Sequence, residues 1–227
     1  MDEQAIAEAL DRAERSVLLG QGLGGTGFWR AVSEVRRRPE LVEAFAERIG
    51  RIDRMAFERG VRLRVPLGPG LAGLWVATIS GAVLVVVAPR IGEHPVGTAA
   101  FLAGFGALLV GSHSLAHHVT GRAFGMRFTH VFLGGPPPPR PGVKTDYATY
   151  LRVPPRRRAL MHASGAVVTK ILPFALIPSA ADRGLWRGLV PLLVGVGVLQ
   201  IVTDVLFSTK VSDWKKVRRE LRAARSS

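Results

Sequence analysis

Two histidines four residues apart carry the clearest chemical signal in the sequence. His113 and His117 lie in the stretch HSLAH. On an α-helix this spacing places both imidazoles on one face, about one turn apart, where they can bind the same metal ion. The stretch closes a long segment that lacks Lys, Arg, Asp and Glu. We therefore expect a metal-binding pair near the edge of a membrane.

Asp204 and His162 are the predicted partners of this pair. His117, His162 and Asp204 lie on three different predicted membrane helices, each four to six residues from a basic residue at the helix end. At about 1.5 Å per residue, all three fall roughly 6–9 Å inside the same membrane boundary. Two histidines, one aspartate and an open fourth position form a catalytic type of zinc site. We expect Zn²⁺ bound by His113, His117 and Asp204, with His162 as a fourth ligand or a neighbour of the ligands.

A structural role is the competing explanation for single polar residues in this region. A histidine near a helix end can reach toward water or bond a carbonyl, which suits His118 and His130 and stays open for His162. Lys170 lies in the middle of a predicted membrane helix. It can pair with Asp204 or extend its ammonium group toward water.

Hydropathy predicts the elements that carry these residues. The chain has 227 residues, 48% of them hydrophobic, and its charges are segregated along the sequence. A membrane-spanning helix needs about 20 mostly apolar residues. We expect an all-α polytopic membrane protein with four transmembrane helices, at residues 70–89, 95–120, 159–181 and 187–209.

The distribution of charge indicates how the chain is oriented. Residues 1–64 hold 12 basic and 11 acidic residues, whereas the net charge of +14 comes mainly from residues 122–158 and from the tail after residue 209. The positive-inside rule places both basic segments, and with four spans both termini, in the cytoplasm of a multi-pass protein of the cell membrane. Membrane lipid explains the charge more simply than DNA does, so we expect no nucleic-acid partner.

Three regions follow from this pattern. Residues 1–64 form a small helical cytoplasmic region, residues 65–210 the four-helix transmembrane metal-site domain, and residues 211–227 a basic cytoplasmic tail. Two apolar stripes at helical spacing support the first region: Ile6, Leu10, Ala13 and Val17, then Leu41, Phe45, Ile49 and Ile52. A Pro-rich cytoplasmic loop joins the second and third spans, with a short strand expected at 128–132 and a polyproline segment at 136–139.

These motifs resemble the site-2 protease family of intramembrane zinc metalloproteases over roughly residues 95–210. The family pattern is HExxH in a helix, then a stretch containing Arg and Gly, then a strand with Gly and Pro; here these read HSLAH, GRAFGMR and VFLGGPP. HASGAVVTK resembles the small-residue helix of the family. The resemblance implies a third zinc ligand at Asp204, in LQIVTDVLFS, and a transmembrane peptide as substrate.

Two departures from the family pattern bear on activity. Asp204 is followed by Val205 rather than Gly, and no Asn-Pro precedes it. Ser114 occupies the position of the Glu that serves as general base in the family. A Ser hydroxyl cannot take a proton near neutral pH without another base. Asp146 is the candidate for that base, although a solvated loop residue paired to Lys144 or Arg152 is the simpler explanation.

The sequence therefore leaves two kinds of function open. One is an intramembrane metalloprotease, or a catalytically weakened homologue of one, that depends on Zn²⁺. The other is a non-catalytic membrane protein: a metal-binding protein, a haem-binding protein with axial ligands among His113, His117 and His162, or a scaffold whose basic segments contact anionic lipid. No pattern in the sequence predicts the oligomeric state.

Overall fold

The computed structural model describes residues 1–91, 94–134, 140–206 and 212–226, which are mostly helical with one small sheet. The helices are α1 (Glu3–Leu18), α2 (Phe28–Arg37), α3 (Val42–Gly60), α4 (Leu67–Val87), α5 (His94–Ala123), α6 (Tyr147–Arg152), α7 (Pro155–Ala175), α8 (Ile177–Ala180), α9 (Leu189–Leu206) and α10 (Asp213–Ser226). The strands are β1 (Leu63–Pro66), β2 (Phe128–Gly134) and β3 (Arg140–Thr145). Short 3-10 turns lie at Pro39–Leu41 and Ala88–Arg90.

The chain forms two compact units, and each unit combines distant parts of the sequence. The first unit contains Met1–Leu67, Gly121–Arg158 and Arg219–Ser227. The second contains Gly68–Thr120 and Ala159–Arg218. The predicted metal ligands all belong to the second unit. The predicted base, Asp146, belongs to the first.

The first unit begins with the helices predicted from apolar spacing. Asp2 caps α1 because its carboxylate accepts a hydrogen bond from the Ala5 amide at 2.7 Å. The predicted stripe on α1 is buried in full, and the stripe on α3 is buried at Ile49 and Ile52. These helices therefore confirm the periodicity of residues 1–60.

A three-stranded antiparallel sheet completes the first unit. The strand predicted around residues 128–132 is confirmed as β2, which lies in the centre of the sheet between β1 and β3. The sequence pattern did not predict the two outer strands. Each is short, and β1 is exposed at every residue, although Leu63 and Val65 alternate with Arg64 in its sequence. The predicted polyproline segment, 136–139, lies outside the described residues.

The first unit also buries a cluster of charged side chains around Glu220. The Glu220 side chain is fully buried, and its carboxylate lies 2.8 Å from the guanidinium of Arg158 and 3.4 Å from that of Arg36. The Tyr150 hydroxyl donates a hydrogen bond to the same carboxylate at 3.0 Å. Burial raises the pKa of Tyr150 well above its usual value, and the neighbouring Glu220 charge adds to the shift. The hydroxyl therefore stays protonated and can serve as the donor.

The second unit contains the apolar helices. Among the described residues, three segments are long and apolar enough to cross a membrane, which fits a membrane protein: Leu67–Arg90, Pro95–Ala123 and Pro155–Ala180. The apolar helix Leu189–Asp204 is shorter. Part of the predicted fourth span, residues 207–209, lies outside the described residues. A fourth crossing therefore stays a prediction, as does the orientation of the chain.

Small residues let the membrane helices approach closely. A Cβ atom at Gly81 of α4 would lie 2.8 Å from the Gly104 carbonyl oxygen of α5, and one at Gly104 would lie 2.7 Å from the Gly81 carbonyl oxygen. Large apolar side chains such as Trp75, Ile79 and Val83 remain exposed on α4. An apolar outer surface over a packed interior suits a helix surrounded by lipid. This packing holds α5, the helix that carries the histidine pair.

Candidate metal centre

The paired histidines meet as their spacing predicts. Both project from α5, and their ring centroids lie 4.6 Å apart with the rings nearly perpendicular. The two Nε2 atoms are 3.2 Å from each other. His117 is buried and His113 is partly exposed. The helix therefore aims two imidazole nitrogens at one point.

Asp213, the first residue of α10, supplies the third atom of the group. Its Oδ2 lies 3.3 Å from Nε2 of His113 and 3.2 Å from Nε2 of His117. The three atoms thus form a nearly equilateral triangle. Ligands at about 2.0–2.1 Å from a tetrahedral zinc ion lie about 3.3–3.4 Å from one another. Cis ligands of an octahedral ion at the same bond length would lie only about 3.0 Å apart. The triangle is closer to the tetrahedral spacing.

The hydrogen bonding of His117 determines which of its nitrogens is available. Its Nδ1 lies 2.7 Å from the backbone carbonyl oxygen of Met161 on α7. A carbonyl oxygen can only accept, so Nδ1 carries a proton and donates it. In the neutral ring, Nε2 then holds a lone pair that points at the other two atoms. Metal-binding histidines in proteins typically have this second hydrogen bond, which fixes the tautomer and the ring orientation.

If both Nε2 atoms are unprotonated, a cation between the three atoms would relieve the repulsion among them. The Asp213 carboxylate and the lone pair of His117 would repel each other at 3.2 Å. A proton on one ring nitrogen can point to only one neighbour. A metal ion of the size of Zn²⁺ satisfies all three atoms at once, and imidazole with carboxylate is a donor set that zinc accepts. The residues therefore fit a zinc ion.

The surroundings keep the Asp213 carboxylate ionised. Burial raises the pKa of Asp213, but its contacts with His113 and His117 and the charge of Lys216 lower it more, so the net pKa lies well below its usual range. The Lys216 ammonium donates to Oδ1 of Asp213 at 2.8 Å, which leaves Oδ2 directed at the histidines. The two carboxylate oxygens thus have separate partners.

Gly165 on α7 provides the space for the His117 ring. An added Cβ at residue 165 would lie 2.5 Å from Nε2 of His117, 2.7 Å from Cε1 of the same ring, and 2.9 Å from the His113 carbonyl oxygen. Real Cβ atoms do not approach other atoms so closely. Only glycine permits α7 to pack against the histidine pair in this position.

Asp204 forms an ion pair with Lys170 of α7. Among the described residues, Asp213 is the carboxylate that joins His113 and His117 in a group of possible ligand atoms within 4.8 Å of one another. Asp204 as a ligand stays a prediction. His162 stands beside the group, with its ring centroid 6.4 Å from that of His117. The predicted pairing of Lys170 with Asp204 is confirmed.

The two residues considered for general-base chemistry have different surroundings. Ser114 is 1% exposed, and its hydroxyl oxygen has no hydrogen-bond partner within the described ranges of the chain. Asp146 caps α6 by accepting from the Thr149 amide at 3.2 Å, and it pairs with Arg54 at 2.6 Å. Asp146 therefore has a structural role in the first unit, although its partner is neither of the two basic residues expected.

Asp213 was not predicted from the sequence because it follows the last apolar segment and so lies outside the predicted membrane spans. One signal was available. Asp213, Val217 and Glu220 recur on one helical face of a tail that is otherwise basic, and the two acidic residues are the only ones there. An acidic residue that shares the buried face of an amphipathic helix usually has a partner.

Comparisons with known proteins add no further assignment. No protein-family model, curated protein or solved structure matches the chain.

Proposed function

We propose that this membrane protein binds one Zn²⁺ ion through His113, His117 and Asp213. The observation that carries the proposal is the triangle of Nε2, Nε2 and Oδ2 atoms with sides of 3.2, 3.2 and 3.3 Å. The bond from His117 to the Met161 carbonyl supports it, because that bond leaves the correct nitrogen free for a metal. The chain has no cysteine, so imidazole and carboxylate groups are the strong zinc ligands that it can offer.

The proposed site resembles that of a site-2 protease in which the chemistry has been weakened. Three protein ligands leave a fourth position open, and zinc bound in such a site acts as a Lewis acid toward a carbonyl oxygen or water. Ser114 follows the first histidine where the family has its Glu base. Because a neutral hydroxyl cannot accept a proton at pH 7, we expect weak peptidase activity or none.

Binding is the function that the proposed site serves best. The Ser114 hydroxyl is buried and lacks a hydrogen-bond partner within the described segments, so it can donate to an oxygen of a ligand that occupies the fourth position. A carbonyl of a transmembrane peptide is such an oxygen. Asp146 is an unsuitable base in this proposal because it already caps α6 and pairs with Arg54.

Haem is a poorer candidate than a single metal ion. Axial histidines bind from opposite faces of the porphyrin, so the macrocycle must fit between their nitrogens. The Nε2 atoms of His113 and His117 are 3.2 Å apart and belong to one helix. That spacing suits adjacent ligands of one small ion.

The metal content of the purified full-length protein tests the proposal. The protein is extracted in detergent, dialysed against a weak chelator and analysed for all first-row transition metals by mass spectrometry. We expect one zinc per chain in the wild type, and none when His113→Ala and His117→Ala are combined. His118→Ala is the matched control, because His118 is adjacent in sequence yet outside the triangle, and it should keep its zinc. Zinc that survives the double substitution, or iron in its place, would contradict the proposal.

A further inference from the structure

An ion pair lies within the apolar helices of the second unit. Lys170 of α7 bonds the carboxylate of Asp204 on α9, and both side chains are largely buried, at 15% and 30% exposed. The Lys170 ammonium also donates to the Ala166 carbonyl oxygen at 3.3 Å. Charged groups within apolar helices are costly, and they persist where they are paired and serve a function. We therefore expect the Lys170–Asp204 pair to have a function in addition to joining α7 and α9.

Lys170 also contacts the helix that supplies the third proposed ligand. Its ammonium nitrogen lies 5.8 Å from the centroid of the Trp214 ring, and Trp214 directly follows Asp213. Trp gives the strongest cation–π contacts of the aromatic residues, and such contacts strengthen when the cation is removed from water. One lysine thus connects α9 with the first turn of α10.

The same helix that carries Lys170 touches the histidine pair. The Met161 carbonyl accepts a hydrogen bond from His117, and Gly165 lies against the ring of that histidine. Met161, Gly165 and Lys170 lie within ten residues of α7, about two and a half turns. α7 therefore contacts one of the histidines at one point and the neighbour of Asp213 at another.

We infer that Lys170, held in place by Asp204, is a positioning residue for the metal site. The cation–π contact with Trp214 holds the start of α10 so that Oδ2 of Asp213 meets both Nε2 atoms. This inference rests on the proposed function, because it assigns Asp204 to a neighbouring pair while Asp213 binds the ion. It also gives a reason for two charged residues in apolar helices, because together they position the carboxylate of Asp213.

A positioning role differs measurably from the role of a ligand. A missing ligand removes a bond to the ion, so the site no longer fills or changes its coordination. A missing positioning contact lowers the affinity but leaves the same three ligands, so the site still saturates with one ion per chain. Affinity, stoichiometry at saturation and the visible absorption of bound Co²⁺ together separate the two roles.

The experiment titrates full-length protein in detergent with Zn²⁺, and separately with Co²⁺. We expect Lys170→Met and Trp214→Leu each to raise the zinc dissociation constant by about tenfold, as the loss of a partly desolvated cation–π contact predicts. Both variants should still saturate with one ion and keep the wild-type Co²⁺ spectrum. Lys170→Arg keeps the cation and should restore the affinity to within about twofold. Asp204→Asn should weaken binding without changing the stoichiometry.

Thr169→Val is the matched control, because Thr169 neighbours Lys170 and bonds only carbonyls of its own helix in the described contacts. It should bind zinc as the wild type does. The inference is overturned if Lys170→Met and Trp214→Leu both bind zinc with wild-type affinity, or if Asp204→Asn abolishes saturable binding, which would make Asp204 a ligand. A wild type that binds no zinc would overturn the proposed function itself, and the inference with it. Trp214→Leu decides the question if Lys170→Met fails to fold.

Discussion

Replacement of Gly165 by alanine is a sharp local perturbation of the proposed zinc site. The substitution adds one methyl group to α7 at the point where that helix faces the His117 ring. The methyl carbon would lie 2.5 Å from Nε2, the atom proposed to bind the metal, and 2.9 Å from the His113 carbonyl oxygen. Ordinary contacts between such atoms begin at about 3.4–3.5 Å. Either the ring or the whole of α7 must therefore move by nearly an ångström.

The expected loss follows from how little displacement a metal site accepts. Ligand distances in zinc sites hold to within about 0.2 Å. A shift of about 0.9 Å at Nε2 exceeds this several-fold, and a rotation of the ring that relieves the contact also breaks the bond from Nδ1 to Met161. Loss of such an orienting bond alone typically costs about 10–100-fold in metal affinity. We expect Gly165→Ala to weaken zinc binding by at least about 100-fold.

The assay is an equilibrium zinc titration of the full-length protein, with circular dichroism as a check on helix content. Gly106→Ala is the matched control, because Gly106 also lies in a membrane helix, α5, and beyond its own helical turn no atom of the described residues lies within 4 Å of an added Cβ there. Alanine favours helix over glycine by about 1 kcal/mol, so neither variant should lose helix for intrinsic reasons. Wild-type zinc affinity in Gly165→Ala would refute the packing of α7 against the site.

Four other predictions concern orientation, ligand identity, catalysis and stability. Reporter fusions in the 122–158 loop and at the C-terminus should both give a cytoplasmic signal, and an outside signal at either would contradict the orientation. Asp213→Asn should reduce zinc affinity far more than Asp204→Asn, because a neutral amide is a poorer ligand than a carboxylate; the reverse order would restore Asp204 as the ligand. Ser114→Glu should create or raise zinc-dependent cleavage of a helical membrane substrate by about 100-fold, whereas strong wild-type cleavage left unchanged by Glu would place the base elsewhere. Glu220→Ala should destabilise the fold by about 3–5 kcal/mol, seen as a lower melting temperature in detergent, because it leaves buried arginine without a counter-charge; an unchanged melting temperature would disprove this.

Periodic features of this chain could be predicted from sequence. The membrane helices have long uncharged segments, and α1 has its apolar stripe, so hydropathy and spacing locate both. The pair of His113 and His117 could be predicted in the same way, because a spacing of four residues on a helix is visible in the sequence. Their convergence on one point needs only the geometry of the α-helix.

Features that depend on contacts between distant segments could not be predicted. Asp213 lies 96 residues beyond His117, and no local pattern relates the two. The depth of Asp204 within an apolar helix indicated it as a ligand, and the structure pairs the Asp204 carboxylate with Lys170. The outer strands β1 and β3 likewise form their sheet hydrogen bonds with β2, and β1 is too short and exposed for its alternation of Leu63, Arg64 and Val65 to identify it. The role of each of these residues and strands depends on its partner in the fold and not on its local secondary-structure propensity.

X-ray absorption at the zinc edge of the metal-loaded full-length protein measures the ligands of the proposed site. We expect a first shell of nitrogen and oxygen at about 2.0–2.1 Å with the outer-shell scattering of two imidazoles. In Asp213→Ala the shell should keep both imidazoles and lose one oxygen ligand of the protein. A spectrum without imidazole scattering, or a six-coordinate oxygen shell typical of loosely bound metal, would contradict a zinc site at His113, His117 and Asp213.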